Sequence, residues 1–243
     1  MGVTEGPDTA AGSAGSPIGE DARGALRRAA LGRLPERRRV ALGLDGLAQE
    51  AGVEQGLAHE EFPGEWDLLS DLVLGAYNAM SDAAEAGAER ARAEGVGLLG
   101  RWTAICLGVR RWALDHPDEY TLIWGSPVPG YVAPPETMVA GARTVLALLG
   151  TLREAQEAGV LDTYAGDPEP SEGMRRNIAP LAEGLLSGLP DQTIARLLTA
   201  WTQLHGMVGF EVNGHIAGVA ADPEAFFAHT AESMGVFMGL PRG

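Results

Sequence analysis

The chain has 243 residues, 33 of them Asp or Glu and 18 of them basic, all arginine, for a formal net charge of −15. With 45% hydrophobic and 21% charged residues it has ordinary globular composition, which excludes wholesale disorder, a collagen-like repeat and a disulfide scaffold. The acidic balance argues against a non-specific nucleic-acid or membrane-surface binder, and the single cysteine, Cys106, allows no internal disulfide and points to a reducing compartment.

Residues 1–19 are Gly, Ala, Ser, Thr and Pro with scattered acids, and read as a disordered tail. They lack the basic start and apolar run of a secretory signal, and no apolar run reaches membrane-spanning length. The expected location is the cytoplasm, with no membrane partner. From Asp21 the spacing turns helical through Ala22, Ala25, Leu26, Ala29 and Ala30, and Pro35 ends that helix near Leu34. Leu44, Leu47, Ala48 and Ala51 lie on one face of a short helix that Gly52 closes as a C-cap. A second short helix is expected over 54–61, closed by Phe62-Pro63-Gly64, and a long one from Glu65 to about Arg92. Further helices are predicted at roughly 97–115, 118–124, 135–158, 173–187, 191–217 and 222–239. Turn signals separate them, among them His116-Pro117, the proline-rich run 125–135, Leu189-Pro190 and Asp222-Pro223. Strand-type alternation is nowhere convincing, so the fold class is all-α. The expected division is a tail (1–19), a three-helix helix-turn-helix head (20–64) and a larger helical ligand-binding and dimerisation domain (65–243).

Two short helices joined by a Gly-Val turn have the form of a helix-turn-helix, a pattern that three packed helices also satisfy. Charge is divided sharply across this unit. Residues 23–39 carry Arg23, Arg27, Arg28, Arg33, Arg37, Arg38 and Arg39 against Glu36 alone. Residues 40–67 carry no arginine but hold Asp45, Glu50, Glu54, Glu60, Glu61, Glu65 and Asp67. Within the second short helix Gln55 and His59 are the side chains able to reach base edges, and Arg37, Arg38 and Arg39 are the candidates for phosphates.

The stretch Leu47-Ala-Gln-Glu-Ala-Gly-Val53, followed by Phe62-Pro-Gly-Glu-Trp-Asp-Leu-Leu69, resembles the head signature of the TetR family of one-component transcription regulators. Three further segments resemble that family's WHG-type C-terminal domain: Arg111-Trp-Ala-Leu-Asp-His-Pro-Asp-Glu-Tyr120, Gly125-Ser-Pro-Val-Pro-Gly-Tyr131 and Trp201-Thr-Gln-Leu-His-Gly206 with Glu211. The resemblance runs over roughly 23–240. It implies an all-α homodimer that reads a palindromic operator, takes a small ligand in its C-terminal domain and, in most members, represses its targets. The sequence departs from the pattern in the head. Glu54 stands where a Ser or Thr caps the recognition helix, His59 where a Tyr commonly meets phosphate, and Glu65 where a Lys begins the next helix. A second reading follows: a module of the same fold that binds a small molecule or a protein and has lost operator binding.

The C-terminal helices support a helical domain independently. Ile194, Leu197, Leu198, Trp201, Leu204, His205, Val208 and Val212 form one apolar stripe, while Ala195, Thr199, Thr202, Gly206, Gly209 and Phe210 form a second face. Residues 222–239 add Phe226, Phe227, Met234, Phe237 and Met238. Two terminal helices with this much apolar surface predict a homodimer through 191–217 and 222–239. A ligand pocket needs apolar walls and a few polar anchors. Trp102, Tyr120, Trp124, Tyr131, Met138, Met174, Trp201 and His205 are the candidates, for an apolar or amphipathic small molecule. Each is also an ordinary core residue type. Glu211 and His215 lie one turn apart, too few ligands for a metal, and an ion pair or hydrogen bond is the expected role. No nucleophile elbow, phosphate loop or dinucleotide fingerprint occurs, so neither a cofactor nor enzymatic activity is expected.

Overall fold

The computed structural model describes residues 21–34, 43–162 and 168–242. Among them the chain forms ten helices and no strand, in agreement with the all-α reading. The expectations for residues 1–19 and for Arg37, Arg38 and Arg39 fall outside the described residues.

Three short helices open the chain: α1 (Ala22–Arg33), α2 (Leu44–Ala51) and α3 (Gln55–Glu61). The Asp21 carboxylate caps α1 by accepting from the Gly24 N–H at 2.9 Å, and Gly52 closes α2 with its backbone in the left-handed region, at the predicted position. Of the apolar positions read from the sequence, Leu26, Ala30, Leu44, Leu47 and Ala48 converge here and share a small core with Ala58 and Phe62. The long helix α4 (Glu65–Ala93) closes that core from below with Leu68 and Leu72. Arg23 and Arg27 of α1 both pair with Asp71 of α4, at 2.9 and 3.4 Å, and the Arg23 guanidinium lies 4.5 Å over the Phe62 ring.

The rest forms a larger bundle around a second core: α5 (Leu98–Asp115), α6 (Pro117–Trp124), α7 (Pro135–Glu157), α8 (Glu172–Glu183), α9 (Asp191–Val212) and α10 (Pro223–Phe237). Helices α4 and α5 cross closely. A Cβ at Gly87 would sit 2.5 Å from the Ala104 carbonyl oxygen, and one at Gly108 would sit 2.5 Å from that of Ala83, so both must be glycine for the backbones to meet. Cys106 is buried in this core, and burial pushes its thiol up to about 12, which keeps it an unreactive apolar side chain.

Two helices end earlier than the periodicity predicts. The expected 173–187 helix stops at Glu183, after Pro180, which cannot donate to the helical ladder, and before the turn at 184–188. The expected 191–217 helix stops at Val212, because Asn213 and Gly214 turn the chain, with Gly214 at φ 74°. His215 is therefore not on the α9 surface beside Glu211.

Helix α6 is only two turns long but meets both cores. Tyr120 is buried in the large core, and Ile123 and Trp124 pack against it, whereas Leu122 packs against the small one. The Tyr77 hydroxyl of α4 donates to the Ile123 carbonyl at 3.4 Å, and the Tyr77 and Trp124 rings meet edge to face.

Candidate functional site

Four of the eight predicted ligand residues come together between α6 and α9. Trp124 stacks on His205 with ring centroids 3.7 Å apart, and Trp201 stands edge-on to both, 5.4 Å from Trp124 and 4.2 Å from His205. The Tyr120 ring lies near-parallel to His205 with centroids 6.2 Å apart. The cluster forms because Tyr120 and Trp124 are four apart on α6, as Trp201 and His205 are on α9, so each pair projects from one helix face.

A cavity of about 580 Å³ lies against this cluster, walled by Tyr120, Trp124, His205 and His215 together with Thr121, Ser126 and Asn213. The last three were not singled out from the sequence. Thr121 lies three residues before Trp124 and shares its helix face, and Asn213 continues the four-residue spacing of Trp201, His205 and Gly209, so both could have been found from that spacing; Ser126 lies in the loop after α6 and carries no such signal. The wall residues include no Arg, Asp or Glu.

The other four predicted ligand residues are not brought to this cavity. Trp102 is 1% exposed in the large core, and its indole N–H donates to the Ala231 carbonyl at 3.1 Å. Tyr131 lies toward the head, with its ring against Trp66 and its hydroxyl donating to Ser70 Oγ at 3.2 Å. Met138 is 78% exposed on α7, and Met174 of α8 packs against the large core. Nothing in helical spacing distinguishes these from the clustered four, since the distinction arises only when α6 meets α9.

The hydrogen bonding of the cluster is incomplete. The Tyr120 hydroxyl donates to the His205 backbone carbonyl at 3.0 Å, and that carbonyl can only accept. The hydroxyl oxygen is then the acceptor for His205 Nδ1–H, 3.3 Å away. This network assigns the proton to Nδ1 and leaves Nε2 as a bare acceptor. Nε2 is buried without a hydrogen-bond partner, and so is the Trp124 indole N–H. Each unmet buried group costs about 1–3 kcal/mol. Burial pushes the His205 imidazole down from its ordinary 6.5 to about 3, so the ring is neutral, and burial likewise raises the Tyr120 hydroxyl, which stays protonated.

Glu211, weighed from the sequence beside His215, instead accepts a two-pronged ion pair from Arg110 of α5 at 2.6 and 2.7 Å. That pair holds the Arg110 guanidinium above its usual range. No group of His, Cys, Asp and Glu side chains among the described residues is arranged to hold a metal.

In the head, Gln55 opens α3 and is exposed, as is His59 one turn later. His59 Nε2 lies 2.8 Å from an Asp45 carboxylate oxygen. Glu54 caps α3 without a side-chain hydrogen bond, so it does not replace the Ser or Thr it stands for. Around them the arginines of α1 are engaged internally: Arg23 and Arg27 with Asp71, and Arg33 with Glu50 and with the Gly46 carbonyl.

The family model for the C-terminal domain of tetracycline-repressor-like proteins matches residues 102–234, more than half of the chain and the whole of the cavity. The chain belongs to the TetR family. An HTH-type transcriptional regulator of Mycobacterium tuberculosis is 28% identical over 195 residues, covering 76% of this chain and 79% of that one. The crystal structure of the regulatory protein SCO4313 superposes with a TM-score of 0.65 at 25% identity, covering 87% of this chain and 94% of that one. A TetR-family transcription regulator from Marinobacter aquaeolei shares the fold, with a TM-score of 0.59 at 15% identity over 91% of this chain and 96% of that one. The TetR family is one of transcription regulators rather than enzymes, and no helix among the described residues is long and apolar enough to cross a membrane.

Proposed function

We propose that this TetR-family protein is a ligand-responsive, dimeric repressor that binds operator DNA through residues 20–64 and takes its ligand in the cavity between α6 and α9. The observation that carries this reading is the double engagement of α6. Tyr120 and Trp124 wall the cavity while Leu122, between them, packs on the core of the head. A ligand that moves Trp124 moves Leu122 with it, because two turns of helix shift as one body. The seat of α1–α3 on α4 then changes, and with it the spacing of the two heads of a dimer. The dimer interface is α9 and α10, continuing into the turn after α9. Phe210, Phe226 and Phe237 are all exposed there, Phe210 by 59%, and an apolar groove of about 390 Å³ runs past Phe210, Val219 and Phe226. Gln55 and His59 are assigned to base edges and Arg37, Arg38 and Arg39 to phosphates. Residues 65–243 form the ligand and dimer domain, and the working compartment is the cytoplasm.

A second reading, a TetR-fold module that binds a ligand or a protein but no operator, is favoured by one set of contacts. The helix meant for the groove exposes Glu60 and its cap Glu54, its histidine is tied to Asp45, and three α1 arginines are paired with carboxylates of α2 and α4. Fluorescence anisotropy with a duplex from the gene's own upstream region, a scrambled duplex and a randomised library, each at two salt concentrations, separates the two. The repressor binds its own duplex specifically and loses affinity as salt rises. Arg38→Ala weakens that binding on every sequence and lowers the salt slope by about one. Absence of binding to all three at low salt establishes the second reading.

A further inference from the structure

The cavity wall is defined by what its polar atoms lack. Trp124 offers one N–H that nothing accepts, and His205 offers one ring nitrogen that nothing donates to. Both atoms are buried, and their rings stack 3.7 Å apart in the wall of a space of about 580 Å³, so a ligand in that space reaches them by displacing a ring of the wall. The tautomer follows from Tyr120, whose hydroxyl is committed to the His205 carbonyl and so turns its lone pair to Nδ1.

We propose that this cavity takes an uncharged planar molecule bearing a hydroxyl or primary amide group, which accepts from the Trp124 indole N–H and donates to His205 Nε2. Both chemistries meet the pair completely. A hydroxyl oxygen accepts and donates at one atom, and a primary amide does so through its carbonyl and its NH₂. A carboxylate has acceptors only. It would satisfy Trp124 but set an oxygen lone pair against Nε2, with no arginine among the wall residues to neutralise it. Burial keeps the His205 imidazole neutral, so it supplies no positive charge, and the second histidine of the wall, His215, is exposed, where water and salt screen any charge it carries. A bare hydrocarbon would fill the space and leave both atoms unmet. Planarity is asked for by the wall itself, in which Tyr120, Trp124 and His205 already stack on one another and a flat ligand can extend the stack. The inference rests on the reading of this cavity as the ligand pocket but names what that reading leaves open.

The test uses the full chain at neutral pH and three probes of one shape: naphthamide, naphthylmethanol and naphthoate. Affinity is measured by calorimetry, and the indole N–H resonances are followed by heteronuclear NMR, the Trp124 signal being the one absent from Trp124→Phe. Naphthamide and naphthylmethanol should bind about tenfold or more tighter than naphthoate and should move the Trp124 resonance downfield. Trp124→Phe, which keeps a flat ring but removes the N–H and part of the ring area, should cost about tenfold in amide affinity, and His205→Phe about as much. Naphthoate binding as tightly as the amide, amide binding that Trp124→Phe does not weaken, or no binding of any probe each overturns the proposal. DNA binding is scored separately, so a chain that binds the amide but no duplex defeats the repressor reading and leaves the pocket chemistry standing.

Discussion

The head and the cavity solve opposite problems with their polar groups. In the head, Arg23, Arg27 and Arg33 are each matched to a carboxylate, and His59 to Asp45. In the cavity, two buried ring nitrogens are left with no partner. A region that must meet a polyanion is expected to keep free cations, and a region that must hold itself together is expected to pair its buried groups. Here the pairing fixes α1 on α4, so the head's geometry is set from α4 and α6 rather than from its own small core alone. The unpaired atoms belong to two rings that wall the cavity. Helix α6 joins the two regions, and the central claim is that filling one resets the other.

The largest expected break falls on the head alone. Leu47 is fully buried in its small core, so Leu47→Ala should cost about 2–5 kcal/mol, read by chemical denaturation. Naphthamide affinity should be unchanged. Loss of both together would mean that the two cores fold as one unit without a separable head.

Acid should strike the other region. The His205 imidazole has its native value pushed down to about 3 from an ordinary 6.5. Above 6.5 both folded and unfolded forms are neutral there, and this group makes no difference. As pH falls from 6.5 toward 3 the unfolded chain takes up a proton that the folded one refuses, so stability drops across that window. Thermal melts of wild type and His205→Phe should diverge from neutral pH to about 4, with the variant falling less steeply. Parallel curves would mean that His205 is protonated in the folded chain.

A smaller effect separates the regions cleanly. Leu122 is half-buried against the head, so Leu122→Ala should cost about 1–2 kcal/mol. Amide affinity should hold within about twofold, while the head stops responding to the ligand. The smallest effect is electrostatic. Asp71→Asn should lower stability by less than about 1 kcal/mol, because these are partly exposed pairs, and should release Arg23 and Arg27 toward solvent. Any DNA binding should then tighten and become more salt-dependent. An unchanged salt slope would mean that α1 faces away from the duplex.

The fold was legible because helical spacing and punctuation are local. Leu44, Leu47, Ala48 and Ala51 with Gly52 delimit α2 to the residue. The errors came where periodicity ran on past a backbone that had already turned, at Gly214 after α9 and after Pro180 in α8. The site was half legible. Tyr120, Trp124, Trp201 and His205 share two helix faces, but whether those faces meet is a matter of topology, which also sent Trp102 into the core and Tyr131 to the head. Ion pairs were the least legible. Arg110 finds Glu211 from 101 positions away, and Arg23, Arg27 and Arg33 of the basic front, conspicuous as sequence, are tied to Asp71 and Glu50 by folding.

Amide hydrogen exchange with and without saturating naphthamide tests the link most directly, since it reads both regions in one experiment and needs no operator. Added protection is expected in α6 and α9 together with altered exchange in α2 and α3 of the wild type, the head response being absent from Leu122→Ala. Changes confined to α6 and α9 in the wild type would contradict the link, leaving a cavity that binds without informing the head.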